Sequence, residues 1–209
     1  MNKKITIAID AMGGDDAPKK NIEGLDIFLK KNSYKDDFSI HLFGDEDILK
    51  RELVKKNIKS NLIKIIHTNG IVSDKESPLT AIKNSKNTSM WNAVKSQVEG
   101  NTDITLSAGN TGVLLVISKM ILKMMKEVSR PALAGLWPSN KGMSVVLDLG
   151  ANIECDEKNL IDFSEMGAAL YKSIFPEKRP YVSLLNIGSE EIKGTDTLKK
   201  TYTKLKELS

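Results

Sequence analysis

Three features of the sequence predict an α/β fold with a mostly parallel sheet covered by helices on both faces. Short β-branched runs alternate with amphipathic helical runs almost throughout the chain. The β runs are apolar on both faces, as strands between two helical layers must be. Glycine-rich polar segments follow several of these runs, where strand-to-helix loops would fall.

The elements follow in order. Residues 4–10 (KITIAID) form a β-branched run ending in a carboxylate, and Pro18 then opens an amphipathic stretch through Ile22, Leu25 and Leu29, so strand gives way to helix. Residues 38–43 repeat the strand pattern, with Gly44-Asp45 as turn and cap before a helix over 46–56. A third strand is expected at 62–66. Ser77-Pro78 reads as a helix cap with proline in the first turn, and 88–98 carries another helical period. A strand at 103–107 leads into a long apolar helix over 111–126. A strand at 143–148, a helix at 160–173, a strand at 181–186 and a helix at 194–208 complete the alternation. No repeat, low-complexity tract or linker divides the 209 residues, so a single α/β domain over 1–209 is expected.

Hydrophobic residues make up 40% of the chain and charged ones 28%, which excludes disordered and collagen-like classes. The net charge of +4, spread without long runs, gives no basis for a nucleic-acid partner. One cysteine, Cys155, allows no internal disulfide, and no charged-then-apolar leader opens the chain, so a cytoplasmic location is expected. The longest apolar stretch, 113–125, is broken by Ser118, Lys119 and Lys123 and is too short to span a bilayer.

In an open α/β sheet the ligand sits beyond the carboxyl ends of the strands, which directs attention to four loops. They are Asp10 to Pro18 with Gly13, Gly14 and Asp15; Ser107 to Gly112 with Gly109, Asn110 and Thr111; Asp148 to Asn152; and Asn186 to Gly194 with Gly188 and Lys193. The Ser107–Gly112 loop ends a strand and opens a helix, so free backbone N–H groups and the positive end of the helix dipole make it a candidate phosphate cradle. It is neither a Walker loop nor a dinucleotide fingerprint, because it lacks Gly-Lys-Ser/Thr and Gly-x-Gly-x-x-Gly. Asp10, Asp148 and Asn186 each end an expected strand, which would gather their polar heads in one crevice. Lys193, beside Glu190-Glu191 and Gly194, is the best single cation there for an anionic substrate.

Other reactive-looking groups read as packing or surface. Cys155 has no base near it in sequence, and His41 and His67 stand singly without an acidic or cysteine spacing that would suggest a metal site. The apolar helix after Thr111 reads as core or subunit interface, and Lys119, Lys123 and Lys126 along it as a solvated stripe able to meet an acidic partner.

The segments IAIDAMGGDDAP, SAGNTG followed by RPALA, LDLGAN, and LLNIGSEEIKG resemble, in this order and spacing, the signatures of the bacterial phosphate acyltransferase family of phospholipid synthesis. The resemblance covers nearly the whole chain. It implies a three-layer sandwich similar to the isocitrate dehydrogenase and phosphotransacetylase group, and a reaction in which inorganic phosphate attacks the thioester of an acyl group on acyl carrier protein. The acyl phosphate is implied to pass to a membrane glycerol-3-phosphate acyltransferase. A homodimer, peripheral membrane association, and no metal or organic cofactor are implied as well. The family's site features fall here on Lys193, Asp10 and Asn186 as catalytic candidates. Gly13, Gly14, Asp15, Ser107, Gly109, Asn110, Thr111, Gly112, Arg130, Asp148, Asn152 and Gly188 are the candidates for binding substrate or phosphate. Two departures stand out: family members run well beyond residue 209, and Lys83 stands where an arginine is usual, which weakens any bidentate phosphate contact there.

The reading is therefore acyl transfer to phosphate without a covalent acyl-enzyme, consistent with the lack of a Ser-His or Cys-His pair. An isocitrate dehydrogenase-like oxidoreductase, which would bind a nucleotide, and a shortened non-catalytic chain that binds phosphate or carrier protein are the competing expectations.

Overall fold

The computed structural model describes residues 4–31, 38–59, 61–73, 83, 85–140, 142–188, 190 and 193–207. The expected Ser77-Pro78 cap and Glu191 lie outside these residues. Two compact units are present, Met1–Lys123 and Met124–Ser209.

In the first unit, strands β1 (Ile5–Asp10), β2 (Phe38–Gly44), β3 (Ile63–His67) and β4 (Ile104–Ser107) form one sheet in the order β3-β2-β1-β4. Every neighbouring pair is parallel, with Ile7 opposite Ile40 and Ile104. Helices α1 (Lys19–Lys31), α2 (Glu46–Lys55) and α3 (Ser89–Val98) lie in the crossovers, and α4 (Thr111–Leu122) follows β4. Side chains alternate across a strand, so β2 sends Phe38, Ile40 and Leu42 to one face and Phe43 to the other. On the first face they pack with Ile22 and Leu25 of α1 and Leu49 of α2. On the second, Ala8 and Phe43 meet Ala93 of α3, while Met90 and Val94 of α3 pack on Val113 and Ile117 of α4. The result is the expected three-layer sandwich. Burial of this apolar surface is its main source of stability, at about 25 cal/mol per Å² removed from water.

Local chemistry sets the helix starts. Asp45 caps α2 by accepting from the Ile48 N–H at 2.9 Å, and Thr88 caps α3 by accepting from Trp91 N–H at 3.2 Å. Asn110 caps α4 through Val113 N–H at 3.1 Å. His67, at the end of β3, accepts from the Glu46 N–H through Nδ1 and so serves as a second cap for α2. The apolar helix ends at Leu122 rather than near 126, because Lys123 takes a left-handed conformation (φ 65°) that breaks the repeat.

The second unit departs further from expectation. Strand β5 (Gly135–Ser139), unanticipated in the sequence, pairs antiparallel with β6 (Gly142–Val146), Ser139 lying opposite Gly142. The run at 143–148 is therefore one arm of a hairpin and not a strand of the parallel sheet. Residues 181–186, expected as a strand, join no ladder among the described residues, and Tyr181 and Leu185 are 93% and 88% exposed. A β-prone run without a neighbour has nowhere to send its backbone hydrogen bonds. Helix α5 (Glu157–Ile174) packs on β6, and Gly167 permits the approach, since a Cβ there would lie 3.2 Å from Leu147 Cδ1. Helix α6 (Asp196–Glu207) packs on α5, with Lys204 paired to Glu157 at 2.5 Å.

Candidate functional site

In the first unit, Asp10 and Ser107 are register partners at the ends of adjacent parallel strands. Topology therefore places the Asp10 and Ser107 loops side by side at the carboxyl edge of the sheet. The Ser107 hydroxyl donates to Asp10 Oδ2 at 2.7 Å and accepts from the Gly109 N–H at 3.1 Å. Directly above, the two loops touch through glycine. A Cβ on Gly13 would lie 2.4 Å from Asp10 Oδ2 and 3.1 Å from Gly109 N, and one on Gly109 would lie 2.9 Å from Met90 Cε. Gly14, at φ 95°, would place a Cβ 2.7 Å from the Ala108 carbonyl, so both space and backbone angle require glycine.

Asn21 of α1 secures the first loop from the side, its amide donating to the carbonyls of Ala11 at 2.9 Å and Gly13 at 3.0 Å. The sequence reading overlooked this residue. An amide one position before the buried Ile22, in a helix whose other polar residues are all charged, was the available signal. Asp15 is exposed at the loop tip.

Asp10 is 1% exposed. Burial raises its carboxyl above the ordinary value of 3.8, against opposing hydrogen-bond contributions from Ser89, Ser107 and the Met12 and Gly13 backbone. Ser89 stands close enough to favour the charged form without making a full hydrogen bond. Asp10 Oδ1 and Ser89 Oγ are both buried and unpartnered.

The loop expected to cradle an anion leads into the start of α4. Asn110 Oδ1 is spent on Val113, and the N–H groups of Thr111 and Gly112 in the first turn have no partner within the helix. Thr111 is exposed and Gly112 half-buried. Beside the loops, Ile7, Ile9, Leu25, Phe28 and Leu106 line an apolar groove of about 360 Å³ that ends at Asp10, Ser107 and Ala108.

In the second unit, Asp148 lies two residues beyond β6 and acts as the hub of a turn. Its carboxylate accepts from Leu133 N (2.8 Å), Ala151 N (3.3 Å), Asn152 N (2.7 Å) and Asn152 Nδ2 (3.0 Å). Burial alone would raise its pKa, but these donors together carry it below the ordinary value. Asn152 also donates to the Pro131 carbonyl at 2.8 Å, and Arg130 Nη1 to the Glu154 carbonyl at 2.7 Å. Arg130, Asp148 and Asn152 thus brace the RPAL segment against the loop after β6. Cys155 sits beside this brace, its thiol pushed up by burial first and by Asp148 second, which disfavours a nucleophilic thiolate. Together with Tyr171, Arg179 and Leu184, Asp148 and Cys155 border a cavity of about 560 Å³.

Asn186 orders its own loop, accepting from Ile187 N at 2.9 Å and donating to the Lys193 carbonyl at 3.3 Å. Gly194, at φ 92°, would put a Cβ 2.8 Å from Asn186 Oδ1. The Lys193 side chain is exposed. Gly188 lies against Glu190 and Lys193. Of the three residues expected to end strands, only Asp10 does so, since Asp148 follows a hairpin arm and Asn186 follows an unpaired segment. Among the described residues, no three His, Cys, Asp or Glu side chains are grouped to hold a metal, and no helix is long and apolar enough to cross a membrane.

The fold and its paired glycine loops define an α/β protein with a phosphotransacetylase-like sheet. It is similar to the EutD phosphotransacetylase from Staphylococcus aureus at a TM-score of 0.66 and 17% identity, over 99% of this chain and 64% of that one. Residues 5–209 match the family described as fatty acid synthesis protein, and the chain belongs to that family. The phosphate acyltransferase of Pelagibacter ubique (strain HTCC1062) is 51% identical over 207 residues, 99% of this chain and 61% of that protein. That of Parvibaculum lavamentivorans is 41% identical over 208 residues, 99% of this chain and 57% of the relative. The chain thus spans about three fifths of the length of these relatives.

Proposed function

We propose that the protein transfers an acyl group from an acyl carrier protein thioester to inorganic phosphate. The observation that carries this reading is the pairing of two glycine loops over Asp10 beside the free N–H groups at the start of α4, in a chain whose relatives are named phosphate acyltransferases.

Phosphate is the nucleophile. Gly13, Gly14 and the Ser107–Gly112 loop hold it through backbone N–H groups, with Asn110 and Thr111 beside them. A phosphate oxygen forms a bond to the thioester carbonyl carbon, the carbonyl oxygen gains negative charge, and collapse of that intermediate breaks the C–S bond. Acyl phosphate and the carrier thiolate result. Fixed donors stabilise the developing oxyanion more effectively than water does. In the second unit, Lys193 offers an exposed ammonium to anionic substrate, Asn186 and Gly188 shape its loop, and Arg130, Asp148 and Asn152 keep the loop after β6 in place.

Acyl carrier protein as donor, a cytoplasmic setting with the protein peripheral at the membrane, a homodimer, and delivery of acyl phosphate to a membrane glycerol-3-phosphate acyltransferase complete the proposal. The test is an assay of acyl carrier protein thioester loss with and without phosphate, with acyl phosphate trapped as hydroxamate. Phosphate-dependent hydroxamate is the expected result. Phosphate binding with no thioester loss would overturn the catalytic reading.

A further inference from the structure

We propose that Asp10 is a positioning residue whose buried carboxyl group joins the two glycine loops from below and couples anion binding above them to the gain of a proton. This rests on the phosphate reading of the Ser107–Gly112 loop.

The geometry separates Asp10 from substrate. Gly13 and Gly109 close over it, since the Cα of Gly13 is 3.3 Å from where a Gly109 Cβ would stand. Asp10 therefore acts through Ser107, whose hydroxyl is spent in both directions, donating to Asp10 Oδ2 and accepting from Gly109 N–H. That relay sets the peptide entering α4, where an anion would meet the first-turn donors. The remaining carboxyl oxygen, Oδ1, is buried and unpartnered, as is the Ser89 hydroxyl in the first turn of α3. A charged carboxylate with one bare oxygen is costly to bury, and a neutral acid less so.

Among the described residues, no element around Asp10 brings a countercharge against it. Strand β2 places Phe43 opposite it and β4 places Ser107. Helix α3 begins Ser89-Met90 and α4 begins Thr111-Gly112. His41 lies beside Ala8 on the neighbouring strand, and the charged residues that follow Asp10 in its loop and at the start of α1, Asp15, Asp16, Lys19 and Lys20, are exposed, with Lys20 paired to Asp16 at 2.9 Å. Burial is accordingly the leading influence on its ionisation. An anion arriving above the loops adds a like charge, which disfavours the carboxylate further, so the proton taken up from solvent is bound more tightly in the complex. By linkage, anion affinity is highest while Asp10 is protonated and falls by up to about tenfold per pH unit between its free and bound pKa values.

The test uses inorganic sulfate, whose charge is constant over the range, because phosphate itself titrates near neutrality. Sulfate affinity is measured from about pH 4 to pH 8 for the 1–209 chain and for Asp10→Asn, and the Asp10 carboxyl carbon is titrated by NMR in the unsubstituted chain with and without sulfate. The expected results are an affinity that falls as pH rises, a flat profile in Asp10→Asn, and an upward displacement of the Asp10 titration with sulfate. Should Asp10→Asn fail to fold, the NMR titration alone decides. Sulfate binding without displacement of the Asp10 titration, or with the same pH profile in Asp10→Asn, overturns the coupling and leaves the phosphate reading standing. Absence of sulfate binding at every pH overturns the phosphate reading, and the coupling with it.

Discussion

Asp10 and Ser107, 97 positions apart in sequence, are joined by a 2.7 Å hydrogen bond between the ends of two adjacent parallel strands. One contact thus ties two loops to the same sheet edge. Removing its donor leaves a buried carboxylate oxygen without a partner. Ser107→Ala is expected to destabilise the chain by about 1–3 kcal/mol, read by urea denaturation. The pH dependence has a definite sign. Because the folded-state pKa of Asp10 is raised, its contribution is fully present below the ordinary value of 3.8 and is lost as pH rises through the raised value. The stability of the unsubstituted chain relative to Asp10→Asn should therefore fall as pH increases through that interval. A constant difference would contradict the burial argument.

Gly13 is the tightest point of the loop pair. The Cβ of Gly13→Ala would stand 2.4 Å from Asp10 Oδ2, well inside contact distance, and the carboxyl group is held by Ser107 and cannot swing away freely. The cost should be about 1–3 kcal/mol, with weakened phosphate binding in whatever fraction stays folded. Gly24→Ala, whose Cβ meets nothing within 4 Å in the interior of α1, serves as the control and should gain about 0.5–1 kcal/mol of stability with phosphate binding unchanged. Calorimetry with phosphate on the two variants checks the contrast.

Asp148 runs in the opposite sense to Asp10. Its backbone and Asn152 donors hold the folded-state pKa below the ordinary value, so its contribution is present above 3.8 and is lost as pH falls through the lowered folded value. Asp148→Asn should be least stable relative to the unsubstituted chain near neutrality, and the two should converge in acid. Thermal melts across that range measure it. Equal stabilities at neutral pH would show that the four donors are satisfied without the charge.

The sheet of the first unit was legible because its strands are apolar on both faces and its helices carry caps that sequence alone displays, such as Asp45 before Glu46. That the Asp10 and Ser107 loops lie at the carboxyl edge of the sheet was also legible, since both end strands in glycine-rich turns, but their adjacency was not. What escaped was set by partners rather than by local pattern. Strand β5 contains Pro138, which demotes a strand reading, yet proline is tolerated at the edge of a two-stranded hairpin. Residues 181–186 have strand composition, but a ladder depends on a neighbour that composition does not encode. Asp148 looked like a substrate group because a carboxylate after a strand commonly is one. The donors to its oxygens from Leu133, Ala151 and Asn152 were not legible, because contacts such as that to Leu133, 15 residues away, are invisible to spacing arguments.

Lys193 separates binding from folding most cleanly. Its backbone carries the structural contacts, with the N–H donating to the Glu190 carbonyl at 2.9 Å and the carbonyl accepting from Asn186, while the side chain is exposed. Lys193→Ala therefore leaves those contacts in place, and surface changes of this kind shift stability by within about 0.5 kcal/mol. If the ammonium meets anionic substrate, phosphate-dependent thioester cleavage should drop by at least about tenfold, corresponding to the loss of about 1.4 kcal/mol of transition-state stabilisation. The kinetic split assigns the role. A fall in maximal rate at saturating phosphate places Lys193 on the developing oxyanion, whereas a raised phosphate requirement with an unchanged maximal rate makes it a binding group only. Turnover and stability both equal to those of the unsubstituted protein would remove Lys193 from the reaction altogether.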